Sequence, residues 1–251
     1  ASGTADAPFR TIQEAVRVLT PGDTCLIHAG VYRESVSGIP SGTADAPIRI
    51  CRYRDDEVVI SGLSPVSGWS KESGRIYSAR ADMPLDDENQ VFADGNMVCE
   101  ARWPNAGGAT PKYLLEFKQA VMGKGTTPER IVASSLPNTD WSGGSVWISS
   151  HKRWYSWTSR IKSHGKGFLQ IHNNTDSAGN HICRPGGVFY VYGCRSALDS
   201  ENEWWYDGSR LFLSAPGGGD PRDRVEVKTR QTALDLSGTS HVLMTGFTVF
   251  G

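Results

Sequence analysis

The chain has 251 residues, 38% hydrophobic and 21% charged, a balance that supports a buried core and excludes a disordered chain. Its 26 basic and 27 acidic side chains leave a formal net charge of -1, which argues against a nucleic-acid partner. No apolar run reaches the roughly 18 residues of a membrane span, and 28 glycines with 13 prolines favour many short strands over long helices. Eight Trp and eight Tyr add flat rings with a polar handle, which suit sugar faces as well as cores.

The first element is a repeat. Ser2–Arg10 (SGTADAPFR) recurs as Ser41–Arg49 (SGTADAPIR), which asks for a repeating architecture. After the first copy, Thr11 with Glu14 three residues on forms a capping box. Ile12, Ala15, Val16 and Leu19 then fall on one helical face, and Pro21-Gly22 ends the helix. From 23 to 62 the period changes to two. Cys25 and Ile27, Ile48 and Ile50, then Val58 and Ile60 point one way, on strands too closely spaced for crossover helices.

Between 67 and 222 the chain is richer in Trp and in long loops. Strands are expected at Asn89–Phe92, Ser145–Ser149, Gly167–His172, Gly187–Tyr192 and Arg210–Leu213, with a helix or irregular segment at Pro111–Met122. The period of two returns at Val225 and Val227, Leu234 and Leu236, Val242 and Met244, then Phe247 and Val249. The expected division is therefore 1–66, a β-rich insert at 67–222, and 223–251, where the first pattern resumes. Inward aliphatic side chains from the two ends of the chain, Ile48 and Val242 among them, are expected to stack in one core.

Chemistry-bearing residues cluster in the insert. Glu100 lies beside Arg102 and Trp103, so a carboxylate, a cation and a ring are neighbours. Asp199, Glu201, Glu203 and Asp207 surround Trp204-Trp205-Tyr206. Trp147, His151, Lys152, Arg153, Trp154, Tyr155 and Trp157 form the densest polar-aromatic group, able to offer rings and cations to a glycan. Each group also has an ordinary structural reading, which comes first: a salt bridge over a packed Trp, a turn and strand of the insert, and sheet packing with solvated cations, in that order. The substrate-binding candidates are Arg102, Trp103, Arg153, Trp154 and Trp157. No metal or cofactor is expected: the histidines lack metal spacing, and neither C-x-x-C nor a nucleotide-binding glycine motif occurs. The five cysteines leave at least one unpaired within the chain, and Cys183 and Cys194 could either bridge or stay as buried thiols. Asn173-Asn174-Thr175 is a glycosylation sequon.

Several phrases together carry a resemblance. They are Ala7–Ala15, Pro21–Thr24, Gly30–Glu34 and Ser41–Ile50, then Val91–Gly95 with Ala101–Asn105, then Leu198-Asp199 with Glu203–Asp207 and Leu211–Pro216, and last Ser240–Phe247. In these the chain resembles right-handed parallel β-helix proteins, closest to β-xylosidase-like and fucosidase-like glycoside hydrolases with an early β-sandwich-like insert. The resemblance implies an all-β fold, a polysaccharide or oligosaccharide partner, no cofactor, and secretion to an extracellular or periplasmic location. It implies glycoside hydrolysis, with a polysaccharide lyase or a non-enzymatic adhesion, fibre or glycan-binding module as alternatives. The family's catalytic groups sit on later coils, beyond Gly251, so none is carried over. The chain opens on Ala1 rather than Met, as a processed or trimmed start would. Its last coil shows no cap, which suggests a longer protein or self-association through that edge.

Overall fold

The structure, a computed structural model, describes residues 2–106, 118–149, 155–172 and 182–251. It is all-β, with Ile12–Val16 the one α-helix among the described residues. The chain forms two compact units: 1–65, 82–89 and 226–251 make the first, 66–81 and 90–225 the second.

In the first unit the helix forms where its capping signal stands. The Thr11 hydroxyl accepts the Glu14 N–H at 3.1 Å. Two more free N–H groups, those of Ile12 and Gln13, are taken by the two carboxylate oxygens of Glu34 at 2.9 Å each. A carboxylate there satisfies orphan donors and sits at the positive end of the helix. Ile12 and Val16 are the buried side, and Leu19 packs against the same core beyond the helix end.

Two parallel sheets of three strands lie in this unit. Ile48–Arg52 pairs with Thr24–Ile27 on one edge and with Val242–Thr245 on the other. Val58–Ser61 likewise lies between Gly30–Tyr32 and Thr248–Phe250. In-register pairing places Cys25, Ile50 and Met244 in one row, and all three join the core. Val242 is paired with Ile48, so the two ends of the chain do share that core. Leu26 and Leu243, one position over, are each about half exposed, as strand alternation requires. Leu63–Pro65 pairs antiparallel with the residues Glu226, Val227 and Lys228.

The strand expected around Leu234 and Leu236 is not one. Leu234 makes a single parallel bridge to Val36, and Leu236 is exposed. The Asp235 carboxylate accepts the Ser237 N–H at 2.9 Å, an Asx-type turn that ends pairing at once.

The repeat uses its glycines for two different reasons. Gly3 has a φ of +75, a left-handed conformation. Gly42, its counterpart, leaves no room for a side chain: a Cβ there would lie 2.6 Å from the His241 carbonyl oxygen and 2.7 Å from the Ile48 nitrogen.

The second unit contains two sheets around one core. In the first, the strand order is Arg102–Trp103, Val188–Tyr192, Ser145–Ser149, Ser156–Gly165, Phe168–Ile171, Arg130–Val132, with Ala120–Val121 also on Val188–Tyr192. The second runs Val91–Ala93, Asn96–Glu100, Glu203–Tyr206, Arg210–Ser214, Ile76–Arg80, Ser70–Ser73. Val146, Ile148, Phe189 and Val191 meet Ala101, Leu198 and Phe212 in the core, together with the buried Trp141. Among the strand pairs just named, pairing is antiparallel except for the short match of Glu203–Tyr206 with Asn96–Glu100. Parallel ladders are thus confined to a minority of the described strands, fewer than the sequence pattern suggests, because hairpins with short turns build the second unit. The expected helix or irregular segment at Pro111–Met122 lies largely outside the described residues, and its end, Ala120–Val121, is a strand.

Replacing Glu34 with Ala leaves two helix N–H groups unmatched and should cost about 1–2 kcal/mol, read as a lower urea midpoint with an unchanged m-value. Gly42→Ala forces backbone atoms apart and should cost more than Gly38→Ala, where the added methyl meets nothing within 4 Å although φ is +63; paired thermal melts compare them.

Candidate functional site

The second unit's first sheet has an inner and an outer side, and register assigns each residue to one. Ile148 is opposite both Trp157 and Phe189, and Trp103 is opposite Val191. Ile148, Phe189 and Val191 are fully buried, so Trp103 and Trp157 point inward. Trp103 lies 6.1 Å from both Trp141 and Phe189, ring to ring, and Trp157 packs against the same core. Both rings keep partial exposure.

Arg102 is on the opposite side, in register with Tyr192. It is 3% exposed. Its guanidinium donates to the Pro104 carbonyl at 3.0 Å and to the Lys118 carbonyl, and lies 3.7 Å from the Tyr190 ring centre. The cation thus cross-links two loops and backs an aromatic ring. Desolvation lowers its pKa, and raises that of the Tyr190 phenol to about 12. Of the residues selected from sequence, Arg102, Trp103 and Trp157 therefore share a sheet but not a side. Arg153 and Trp154, with His151, Lys152, His181 and the sequon Asn173-Asn174-Thr175, lie outside the described residues.

Sequence reasoning placed Trp147 in the polar-aromatic group but did not select it as a binding residue or pair it with Tyr190. These residues are in register on neighbouring strands, and their rings stack at 5.1 Å with 14° between planes. The available signal was the alternation of Ser145–Ser149 and Val188–Tyr192, which places Trp147, Tyr190 and Tyr192 on the side away from the core.

The acidic stretch is used mostly for structure. The Asp199 carboxylate accepts from the Asn105 amide at 3.0 Å, Asp207 caps the turn at Ser209 and Arg210, and Glu201 faces Arg75 at 3.7 Å. Glu203 differs. It is 2% exposed, and one carboxyl oxygen accepts the Ser200 N–H at 3.1 Å. The other has no hydrogen-bond partner among the described residues, nor has the Ser214 hydroxyl directly across the strand pair. Burial above all, with the Asp199 charge adding to it, pushes the Glu203 carboxyl up to about 8. The side chain is therefore neutral at pH 7. A neutral buried acid is a proton donor in search of an acceptor, but Glu203 is enclosed.

Cys183 and Cys194 are free buried thiols. Burial raises Cys183 to about 12 and Cys99 to about 11, which disfavours thiolate chemistry. Ser142, His164 and Asp140 come together without forming a catalytic triad, because the hydroxyl and the carboxylate both contact the same ring nitrogen of His164, at 3.4 and 3.0 Å. Among the described residues no group of three or more His, Cys, Asp or Glu is placed to hold a metal ion.

No known protein-family profile matches the chain. Two curated proteins match part of it. "Uncharacterized protein YwoF" of Bacillus subtilis is 40% identical over 62 residues, 25% of this chain and 13% of that protein. "Pectate lyase PEL9" of Emericella nidulans is 39% identical over 64 residues, 25% of this chain and 16% of that protein. Among solved structures, a chain described as "Glycoside hydrolase" superposes with a TM-score of 0.70 at 19% identity, covering 99% of this chain and 48% of the other. A complex of XylC with xylose superposes with a TM-score of 0.47 at 17% identity, covering 99% and 33%. The chain spans less than half of each of these proteins, and the likeness to the first solved chain is one of fold.

The Glu203 carboxyl sets a pH dependence with a definite sign. Its folded pKa is raised, so its contribution to stability is full below the ordinary carboxylate range and is lost as pH rises towards about 8. Glu203→Gln should remove that loss. As pH rises from the ordinary carboxylate range to about 8 the parent should weaken relative to the variant by up to roughly 1.4 kcal/mol per pH unit and then level off, read from urea unfolding at a series of pH values.

Proposed function

We propose that the chain is the leading part of a longer, secreted carbohydrate-active protein, a glycoside hydrolase acting on a polysaccharide or oligosaccharide. In this reading the two parallel three-stranded sheets are the first coils of a right-handed parallel β-helix. The helix Ile12–Val16 covers their open end, and residues 67–222 are an insert that walls a glycan groove. One observation carries it: Ile48–Arg52 is sandwiched in parallel between a preceding strand and Val242–Thr245, as successive coils of a solenoid would be. The fold likeness to a chain described as a glycoside hydrolase supports the same reading. The catalytic groups then belong to coils that follow residue 251; the partly exposed Trp103 and Trp157, with Arg153 and Trp154, contribute to the groove, and the buried Arg102 supports the sheet behind Tyr190 instead of lining it.

A lyase is the second reading, favoured by the 64-residue match to a protein named as a pectate lyase. The two differ in product. Hydrolysis adds water and yields new reducing ends alone; elimination also leaves a C=C bond that absorbs in the ultraviolet.

Incubating the full-length protein with a panel of plant and microbial polysaccharides should release reducing ends without that absorbance. Absorbance in step with the reducing ends makes it a lyase. No product from any polymer, with the folded protein confirmed by its melting transition, overturns the enzymatic reading. Trp103→Phe, which keeps a ring in the core, should weaken substrate binding severalfold with little loss of stability, read as a rise in KM.

A further inference from the structure

The outer side of the second unit's first sheet carries a slot distinct from the inward-facing Trp103 and Trp157. Strand order puts Trp147 between Tyr190 on one neighbour and Thr158 on the other. One face of the indole is covered by the Tyr190 ring, which is itself backed by the Arg102 guanidinium. The other face looks over Thr158, a small and exposed residue. Three stacked layers therefore hold the indole upright at little entropic cost, with its remaining face beside an open step in the sheet.

The edges of that step are polar. Ser156, Thr158 and Arg160 alternate outward along one strand and are all exposed. Register sets Arg160 opposite Ser145 and Ser156 opposite Ser149, so both are diagonal to Trp147. Diagonal positions are about 7–8 Å apart, within reach of a long side chain and an indole together. Among the described residues Arg160 makes one hydrogen bond, a 3.4 Å contact with the Gly143 carbonyl, which leaves most of its donors unused. The indole N–H groups of Trp69, Trp141 and Trp204 each bond a carbonyl; that of the partly exposed Trp147 has no such partner among the described residues. The outward positions of the three strands, Ser145, Trp147 and Ser149, Ser156, Thr158 and Arg160, Val188, Tyr190 and Tyr192, include no carboxylate. A flat apolar face, an unused N–H, two hydroxyls and an uncompensated guanidinium describe the complement of one ligand type.

We propose that this slot binds a uronosyl residue of an acidic glycan. The C–H face of the pyranose packs on Trp147, the ring carboxylate pairs with Arg160, and ring hydroxyls meet Ser156 and Thr158. The proposal rests on the carbohydrate-directed reading above and adds to it a separate site and an acidic sugar class. It involves binding alone; no bond is made or broken.

The test reads the slot itself. In the intact protein labelled with nitrogen-15, the Trp147 indole N–H resonance is assigned by its loss in Trp147→Phe. Tetragalacturonate is the probe, and a neutral xylo-oligosaccharide of equal length the comparison. The expected result is a saturable shift of the Trp147 resonance with tetragalacturonate, at least tenfold weaker with the neutral chain. Arg160→Gln, on an exposed position, should weaken the acidic probe about tenfold while leaving the melting temperature unchanged. A Trp147 resonance that does not move overturns the proposal, even when other resonances move or polysaccharide is degraded, in which case the broader reading stands. Equal response to both sugars, or no effect of Arg160→Gln, overturns the acidic class.

Discussion

The parallel strand Ile48–Arg52, paired along both of its edges, is the constraint on which the first unit depends. Its partners come from opposite ends of the chain. Parallel strands admit no tight hairpin, so each return needs a long excursion. Here one excursion runs through Gly30–Tyr32, and the other contains the whole second unit. Because the rows are in register, Ile48 and Ile50 each hold the same inward position as the residues beside them, and both are fully buried. A shift of one residue would turn those side chains out and bring Arg49 in, so the hydrophobic pattern alone holds the register.

Closure of that core depends on polar groups as well. The Glu34 carboxylate reaches back to two N–H groups of a five-residue helix that is too short to be stable by itself. The Gln13 side chain clasps Ser37 in both directions, donating to its carbonyl at 3.1 Å and accepting its N–H at 2.8 Å. Such local locks let a short apolar face cover the edge of a core that it could not cover by hydrophobic contact alone.

The second unit relies on sidedness. Alternation along its strands sends Trp103 and Trp157 into the core and Arg102, Trp147 and Tyr190 to the other side. A large ring packed inward contributes stability, and one standing outward between a second ring and an open step is prepared for a ligand. The same alternation places Glu203 where water does not reach, which holds its carboxyl neutral near pH 7. Inside this unit, then, burial decides the protonation state of one group and leaves another group free to bind.

Much of this was legible from residue order. The helix start at Thr11, the all-β character, the strand Ser145–Ser149 to the residue, and the meeting of Ile48 with Val242 follow from period, turn chemistry and repeat, because these are local rules or patterns that only one buried face satisfies. Neighbouring residues could not say that Arg102 would lie against Tyr190, that Trp103 and Trp157 would face inward, or that Leu236 would end exposed after a single bridge. Those outcomes depend on which strand becomes whose neighbour, and on which side the core then forms. Sequence therefore determined the elements and their inward residues; tertiary pairing alone decided which rings and charges meet, since contacts between strands far apart in the chain are set by register and burial rather than by adjacency.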